Sequence, residues 1–313
     1  MLNGWQEFLC DKKKRKDVIL FQARLMDNIF LLHNDLKTKA YQHGGYIEFN
    51  ISDPKPRIIH KATVRDRLLH HLIYQELYSY FDTKFIYDSY SCRLNKGTHK
   101  AIDRFTDFAR EVSKNNTRTC FVLKCDIRKF FANIDHKILK DILKKYIKDE
   151  NIFLLLEQVV DSFSARKVLA EIGLPLGNLT SQLLVNIYMN EFDQFMKREL
   201  KVKYYIRYAD DFVILLDDKE YLENVLEKAT EFLEINLKLQ MHPDKVYIKT
   251  LASGVDFLGW VHFPCHRVLR MSTKKRMLKN LEKNSKKEVI VSYLGMLSHG
   301  DGYKLQKRIE KLQ

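Results

Sequence analysis

Two adjacent aspartates, Asp210 and Asp211, lie between two segments rich in apolar, β-branched and aromatic residues. This pattern predicts a β-hairpin with both acids at its turn. A turn brings the two carboxylates into a small volume, where like charges repel unless a cation lies between them. Mg²⁺ prefers such oxygen ligands, and a third carboxylate from another strand would complete a two-metal site for phosphoryl transfer. The alternative is an ordinary solvated turn.

Asp126 is the candidate for the third carboxylate, because it lies near the end of an apolar strand predicted over residues 120–127. A carboxylate in that position is poorly solvated and needs a basic residue or a metal ion as its partner. We expect Lys124 to point to the other face of the strand, and therefore not to be that partner. The alternative is that Asp126 caps the segment that follows it.

Basic residues are concentrated between positions 55 and 67. Lys55 and Arg57 lie in a predicted turn and strand, and Arg65 and Arg67 follow them closely. Guanidinium and ammonium groups at this density could hold a triphosphate. A solvated charged surface would have the same composition.

A loop containing glycine and proline, at residues 174–182, leads into a predicted helix. Thr180 or Ser181 can cap that helix, and its free N–H groups can face an anion or the edge of a base. The start of an ordinary helix would have the same features.

The composition indicates a globular and strongly basic chain. Its 313 residues include 54 Lys and Arg and 40 Asp and Glu, which gives a net charge of +14. The segment from His266 to Gln313 holds 13 Lys and Arg and 4 Asp and Glu, so +9 of that charge lies in the last 48 residues. This concentration favours a polyanionic partner, most often nucleic acid. On charge alone, ribosome-associated and membrane-surface roles are the alternatives.

Several classes of protein are disfavoured by the sequence. The five cysteines form no CxxC pair, which predicts free thiols in a reducing cytosol and argues against a disulfide framework or a zinc site. No apolar signal segment precedes the basic residues 12–16. The uncharged stretch 172–190 contains Gly, Pro and polar residues, which argues against a membrane span. We therefore expect a cytoplasmic protein.

The elements that must position these residues follow no regular βαβ order, which indicates an α+β core with a helical appendage. Apolar residues at helical spacing predict helices at 18–39, 63–81, 98–112, 136–146, 151–163, 181–201 and 220–237, and from 272 onward. Strands are predicted at 45–51, 56–61, 120–127, on both sides of the acidic turn, at 246–249 and at 255–261.

The order of these features resembles that of the palm motifs of reverse transcriptases. The features are Asp126 with Phe131, the Gly177 loop, Tyr208-Ala209-Asp210-Asp211, Lys245 and Phe257-Leu258-Gly259-Trp260. The resemblance covers about residues 45–304. It is closest to the reverse transcriptases of diversity-generating retroelements, through segments 88–93, 96–99, 177–182, 292–295 and 298–299.

That resemblance implies an α+β right-hand polymerase. Residues 1–44 would form an N-terminal helical extension, residues 45–265 the fingers and palm with an antiparallel sheet, and residues 266–313 a small, basic, helical thumb. The implied activity is synthesis of cDNA on an RNA template, with a DNA or RNA primer and dNTPs. The implied partners also include a small basic accessory protein and no membrane.

The resemblance also assigns roles to individual residues. Asp126, Asp210, Asp211 and the backbone carbonyl of Ile127 would hold two Mg²⁺ ions, for which Mn²⁺ can substitute. Lys245 would assist the departure of pyrophosphate, unless it is a surface lysine. The expected nucleotide-binding residues are Lys55, Arg57, Arg65, Ile127, Phe131, Leu176, Gly177 and Gln182. The expected primer- and template-binding residues are Phe257, Leu258, Gly259, Trp260, Lys274, Lys275 and Lys279.

Three of these positions carry expectations about specificity. Phe131 matches the aromatic steric gate that excludes a 2′-hydroxyl, unless it is a core phenylalanine. Many reverse transcriptases have Gln where Leu176 stands and Pro where Gln182 stands, and the residues found here are like those of retroelements that mutate adenines.

The alternatives to this function are a defence-associated bacterial reverse transcriptase that makes repetitive or untemplated DNA, and a non-catalytic RNA-binding scaffold.

Overall fold

The computed structural model describes residues 1–52, 56–164, 171–284 and 286–310. The helices are α1 (Leu2–Phe8), α2 (Lys16–Ala23), α3 (Leu25–Lys37), α4 (Val64–Asp82), α5 (Thr98–Val112), α6 (His136–Tyr146), α7 (Glu150–Asp161), α8 (Leu179–Gln194), α9 (Lys219–Leu237), α10 (Met271–Lys283), α11 (Lys287–Leu297) and α12 (Tyr303–Glu310). The strands are β1 (Tyr46–Ile51), β2 (Arg57–Ala62), β3 (Phe121–Asp126), β4 (Tyr205–Tyr208), β5 (Asp211–Leu216), β6 (Tyr247–Thr250), β7 (Val255–Phe257), β8 (Trp260–His262) and β9 (Arg267–Leu269).

The chain forms two compact units, each assembled from three separate segments. The first contains Met1–Tyr87, Ile127–Phe195 and Glu231–Gln240, and the second contains Asp88–Asp126, Met196–Thr230 and Met241–Gln313. The division into three consecutive domains that the resemblance implies stays a prediction.

In the first unit, two helices, α2 and α3, form where the sequence predicted one. A single helix was expected over 18–39, but α2 ends and α3 begins around Arg24, whose φ of −125° and ψ of 42° are not helical. The carbonyl of Phe21 accepts from the N–H of Arg24 at 3.3 Å and from the Asn28 side chain at 3.0 Å, so it stays bonded at the break. A polar side chain thus bonds to the backbone where the predicted helix is divided in two.

The rest of the first unit is a β-hairpin with packed helices. Strands β1 and β2 pair antiparallel, and Thr63 caps α4 by accepting from the backbone N–H of Asp66 at 3.2 Å, as the sequence predicts. Helix α8 packs against α4 and α6. Most of its residues are buried, and it continues from Gln194 into a π-helical turn, Phe195–Glu199.

The second unit contains a four-stranded antiparallel sheet in the order β4-β5-β3-β6. Strands β3 and β5 are central, and each buries its four middle residues. Helix α5 packs on β4 and β5 through an apolar face that includes Ile102, Phe105 and Phe108. The ends of β3, β4 and β5 carry the candidate acids.

The second unit also contains a three-stranded sheet, β7-β8-β9, and three C-terminal helices. A single strand was expected over 255–261, but Leu258 and Gly259, with φ of 48° and 90°, form a tight turn between β7 and β8. Strand β9 pairs with β8, and helix α10 begins at Met271, one residue before its predicted start. None of the described helices is long and apolar enough to cross a membrane.

Candidate active site

The acidic hairpin forms as predicted, but its two acids occupy different positions. Tyr208 pairs with Asp211 across β4 and β5, so the turn itself consists of Ala209 and Asp210. Ala209 has a φ of 55°, in the left-handed region that alanine seldom adopts. Asp210 therefore lies in a strained turn, and Asp211 is the first residue of a strand.

The third acid lies beside this hairpin. Asp126 ends β3 and is the direct cross-strand partner of Asp211 on β5. The antiparallel sheet thus brings Asp126, Asp210 and Asp211 to one of its ends. The sequence predicted this grouping, and the catalytic roles of the three residues stay predictions.

Burial and mutual repulsion both raise the pKa values of the carboxylates in the hairpin. Burial, reinforced by the charge of Asp126, raises the pKa of Asp210. Burial also raises the pKa of Asp211 to about 6, with Asp126 and Asp210 adding to the shift and Lys124 opposing it. Crowding of this kind favours a cation at the end of the sheet.

Lys124 corrects one expectation from the sequence. It does not point away from the acids, because residues two apart on a strand share a face, as Lys124 and Asp126 do. Its ammonium group bonds to the carboxylate of Asp211 and lies 6.0 Å from the centroid of the Phe257 ring. The lysine is 7% exposed, so the sheet holds a nearly buried ion pair at the candidate site.

Lys245 lies at the same group of acids, as the resemblance implies. Its Nζ donates to Oδ1 of Asp126 at 2.8 Å. The segment before β6 returns to β3 at this point, because the N–H of His242 donates to the carbonyl of Asp126 at 2.7 Å. This contact argues against a mere surface lysine, although a role in catalysis stays a prediction.

The donor chemistry at the end of the sheet fits a hard divalent cation. Among the described residues, no three His, Cys, Asp or Glu side chains converge into a ready-made metal site. Two ammonium groups engage the acids, since Lys124 holds Asp211 and Lys245 holds Asp126. Carboxylate oxygens are nevertheless the ligands that Mg²⁺ prefers, and the bond from Lys245 is to Oδ1 of Asp126. Ile127 is buried directly after Asp126, and a role for its carbonyl stays a prediction.

In the first unit, the predicted nucleotide-binding loop is fastened to β2. The carbonyl of Leu176 accepts from the N–H of His60 at 2.9 Å, and the Asn178 side chain donates to the carbonyl of His60 at 3.3 Å. Gly177 has a φ of 108°, and a Cβ there would lie 2.7 Å from a methyl group of Ile59. Glycine is therefore required by both backbone conformation and close approach.

The start of α8 differs from the prediction. The helix begins at Leu179, so its N-cap is Asn178, which makes no side-chain cap bond. Thr180 and Ser181 are buried in the first turn, and the hydroxyl of Thr180 bonds to His70 of α4. Thr180 thus connects two helices instead of capping one. Gln182 is half-buried in the same turn.

The described candidates among the basic residues near β2 differ in their surroundings: two form ion pairs and one is exposed. Arg65 bonds to Asp35 and donates to the carbonyl of Gln42 at 3.0 Å, while Arg67 bonds to Asp17. Arg57 is exposed at the start of β2, and Lys55 lies outside the described residues. Arg57 is therefore the better-placed candidate for holding phosphate.

Phe131 lies in a short 3₁₀ turn, Phe130–Asn133, and is half-buried, whereas its neighbour Phe130 is buried. The carbonyl of Phe131 accepts from the N–H of Leu174 at 2.7 Å, which joins it to the start of the nucleotide-binding loop. Partial exposure is compatible with a steric gate, and that role stays a prediction.

The predicted primer- and template-binding residues lie on two elements of the second unit. Phe257 and Trp260 are buried in the core, and only the turn residues Leu258 and Gly259 are half-exposed. A Cβ on Gly300 would collide with the Trp260 ring, so the C-terminal helices pack directly on β8. The remaining three, which lie on α10, are Lys274, Lys275 and Lys279.

Sequence reasoning missed Arg207. It lies on β4, two residues before the turn, and its side chain is completely buried. The only signal was a charged residue in an otherwise aromatic and apolar strand.

Comparisons with known proteins find relatives in sequence and in fold. Residues 51–262 match the family described as reverse transcriptase (RNA-dependent DNA polymerase). Protein YkfC of Escherichia coli (strain K12) is 26% identical over 292 residues, which cover 82% of this chain and 74% of that protein. The group II intron-encoded protein LtrA of Lactococcus lactis subsp. cremoris is 24% identical over 289 residues, which cover 71% of this chain and 46% of that protein.

Two solved structures have a similar fold. Apo telomerase from Candida tropicalis, truncated from its C-terminal domain, is 12% identical with a TM-score of 0.55, covering 74% of this chain and 55% of that chain. Telomerase from Candida albicans, in complex with a fragment of telomeric RNA, is 11% identical with a TM-score of 0.54. The match covers 79% of this chain and 51% of that chain. This chain thus spans about half of LtrA and of the two telomerases. The structural likeness identifies a right-hand polymerase fold, and the match over 51–262 shows that the chain belongs to the reverse transcriptase family.

Proposed function

We propose that this chain copies RNA into DNA by two-metal nucleotidyl transfer at the end of the β4-β5-β3-β6 sheet. The observation that carries the proposal is the grouping of Asp210 with the cross-strand pair Asp126 and Asp211. Three carboxylates at the end of a buried sheet are costly unless cations or ammonium groups offset their charge. A stable scaffold without catalysis would not need this arrangement.

Asp126 and Asp210, supported by Asp211 and the Ile127 carbonyl, would hold two Mg²⁺ ions. Such ions, when bound, lower the pKa of the primer 3′-hydroxyl and stabilise charge on the departing pyrophosphate. Lys124 offsets the charge of Asp211 and limits its movement through their ion pair. Lys245 bonds to Asp126, and after releasing it would offer its ammonium group to the leaving phosphates.

The remaining predicted residues would bind the substrates. Arg57 would hold phosphate oxygens of the dNTP. The Phe131 ring would exclude ribonucleotides by colliding with a 2′-hydroxyl. The lysines of α10 would follow the phosphates of the template and primer, where release of counterions favours binding.

We further propose a mutagenic polymerase of the diversity-generating type, which makes errors opposite template adenines and works with a small basic accessory protein. The adenine preference and the accessory protein rest on the resemblance alone. The loop at 176–178 supports the reduced fidelity, because hydrogen bonds of Leu176 and Asn178 to the backbone of His60 fix the position of Leu176. A glutamine there would contact the nascent base pair through hydrogen bonds, and leucine has no polar group to do so. A mispair then loses less binding free energy relative to a correct pair, so discrimination between the two falls.

Primer extension on poly(rA)/oligo(dT), with Mg²⁺ or Mn²⁺, tests the polymerase proposal. We expect DNA products whose length and sequence follow the template. With all four dNTPs supplied, products that incorporate dATP, dCTP or dGTP on this template would favour the defence-associated alternative, which makes repetitive or untemplated DNA. Absence of any product, with RNA binding retained, would favour the non-catalytic scaffold.

A further inference from the structure

The guanidinium of Arg207 bonds both to the turn that carries Asp210 and to Ser89, which lies outside the hairpin. Its Nη1 donates to the carbonyl of Ala209 at 3.1 Å, and its Nη2 donates to the hydroxyl of Ser89 at 3.2 Å. The Arg207 side chain has no exposed surface, and neither has Ser89. A guanidinium this deeply buried is costly, so its bonds must be well satisfied for the fold to keep it.

The backbone around Arg207 is also fixed. Its N–H donates to the carbonyl of Asp88 at 3.0 Å, and its carbonyl accepts from the N–H of Tyr90 at 2.9 Å. Arg104 of α5 in turn bonds to the Asp88 carboxylate, with Nε 2.9 Å from the acceptor oxygen. The segment 88–90 therefore anchors β4 beside the turn.

The bonded carbonyl belongs to the strained residue of the turn. Ala209 has a φ of 55°, and the next residue is Asp210. An L-residue stays in the left-handed region only where its surroundings hold it there. The donor from Arg207 supplies such a constraint from within the same hairpin.

We propose that Arg207 is a positioning residue, which holds the Ala209 carbonyl and thereby fixes the turn that presents the Asp210 carboxylate. This inference rests on the proposed function, since it assigns Arg207 to the geometry of that site. It does not assign Arg207 any contact with substrate. Without this hydrogen bond the Asp210 carboxylate would still be present, but its position would be held less firmly.

The experiment combines metal binding, template-primer binding and primer extension for Arg207→Gln and Arg207→Lys. Mn²⁺ binding is followed by electron paramagnetic resonance, and folding is checked by thermal unfolding. We expect folded Arg207 variants to lose Mn²⁺ affinity and turnover by roughly 10- to 100-fold, as is typical when a residue that orients a metal ligand is removed. Template-primer affinity should stay within about twofold, because no binding residue changes.

A second substitution separates positioning from general stability. Glycine adopts a positive φ without strain, so Ala209→Gly in the Arg207→Gln background should recover about fivefold of the lost Mn²⁺ affinity. Arg104→Met is the matched control, since it removes a guanidinium from the same Asp88–Tyr90 segment without touching the turn. It should lower thermal stability and leave Mn²⁺ affinity near the wild-type value.

Three results would overturn the inference: unchanged Mn²⁺ affinity in a folded Arg207 variant, no recovery with Ala209→Gly, or an equal loss with Arg104→Met. If neither Arg207 variant folds, Ser89→Ala decides, because it removes a side-chain bond that orients the guanidinium. An unchanged Mn²⁺ affinity there would also overturn the inference. If the wild-type chain neither binds Mn²⁺ nor extends primers, the proposed function fails instead.

Discussion

Asp126 and Asp211 lie directly opposite each other where β3 and β5 meet the acidic turn. The register depends on a two-residue turn, because β5 begins immediately after Asp210. A slip of one residue would send Asp211 to the other face of the sheet. The length of the turn therefore determines which carboxylates face one another.

Phe131→Val should admit ribonucleotides, because removing the ring opens space beside the 2′-carbon of the incoming sugar. The ratio of rNTP to dNTP incorporation efficiency should rise at least about tenfold, equivalent to roughly 1.4 kcal/mol of lost discrimination. Phe130→Val is the matched control, since Phe130 is buried in the same 3₁₀ turn. It should reduce stability and leave sugar selection unchanged. An unchanged ratio for a folded Phe131 variant would assign that ring to the core.

Binding of template and primer should weaken steeply with salt. Replacing Lys274, Lys275 and Lys279 with glutamine should reduce the slope of log affinity against log salt by roughly 0.7 to 0.9 for each phosphate that is no longer neutralised. Lys275 and Lys279 are exposed on α10, Lys274 is half-buried, and the helix buries Met277 and Leu281. Glutamine at Lys219 and Lys228, exposed on α9, should leave the slope unchanged. A slope that does not respond to the α10 changes would locate the nucleic acid elsewhere.

Leu176→Gln, alone or with Gln182→Pro, should reduce errors opposite template adenine. A restored hydrogen-bonding side chain would recover discrimination, and each 1.4 kcal/mol or so corresponds to a tenfold change in error rate. Sequencing of cDNA made from an RNA containing all four bases measures both the rate and its distribution. Uniformly low error in the wild type would contradict the mutagenic proposal, and high error at all four bases would contradict its adenine clause.

Stability should fall in mild acid because of His262. Burial, aided by the charge of Arg267, lowers the pKa of His262 to about 3, and its Nε2 has no hydrogen-bond partner among the described residues. The folded chain keeps this imidazole neutral while the unfolded chain protonates it below about pH 6.5, so its contribution is lost progressively as pH falls from 6.5 towards 3. Between pH 7 and pH 5 the cost is about 2 kcal/mol.

Denaturant unfolding at pH 7 and pH 5 measures this effect. His262→Leu should reduce the loss of unfolding free energy between the two pH values by about that amount. His33→Gln, at an exposed position on α3, should leave the loss unchanged. An equal loss in wild type and His262→Leu would mean that other groups control the acid sensitivity.

Local patterns were enough to predict much of the fold and of the acidic site. The β-formers on both sides of Asp210, the apolar run before Asp126 and the cap at Thr63 are properties of a few neighbouring residues. Each is therefore readable without knowledge of tertiary contacts. The resemblance to reverse transcriptases is confirmed by the family match over 51–262.

The errors arose where distant segments decide the outcome. The role of Thr180 depends on its bond to His70, which lies 110 residues earlier in the chain. The ion pair of Arg65 with Asp35 joins α4 to α3, and no local pattern indicates this contact. The error about Lys124 had a different cause, because strand alternation alone predicts the face on which its side chain lies.

The most direct test of the central claim is primer extension by purified wild type and Asp210→Asn. The amide is nearly isosteric with the carboxylate but carries no charge to hold a metal ion, so the variant should fold normally and lose DNA synthesis by several orders of magnitude. Asp217→Asn, at the exposed end of the same hairpin, is the control and should retain activity. Synthesis by folded Asp210→Asn at a rate near that of wild type would contradict the assignment of the acidic turn as the catalytic centre.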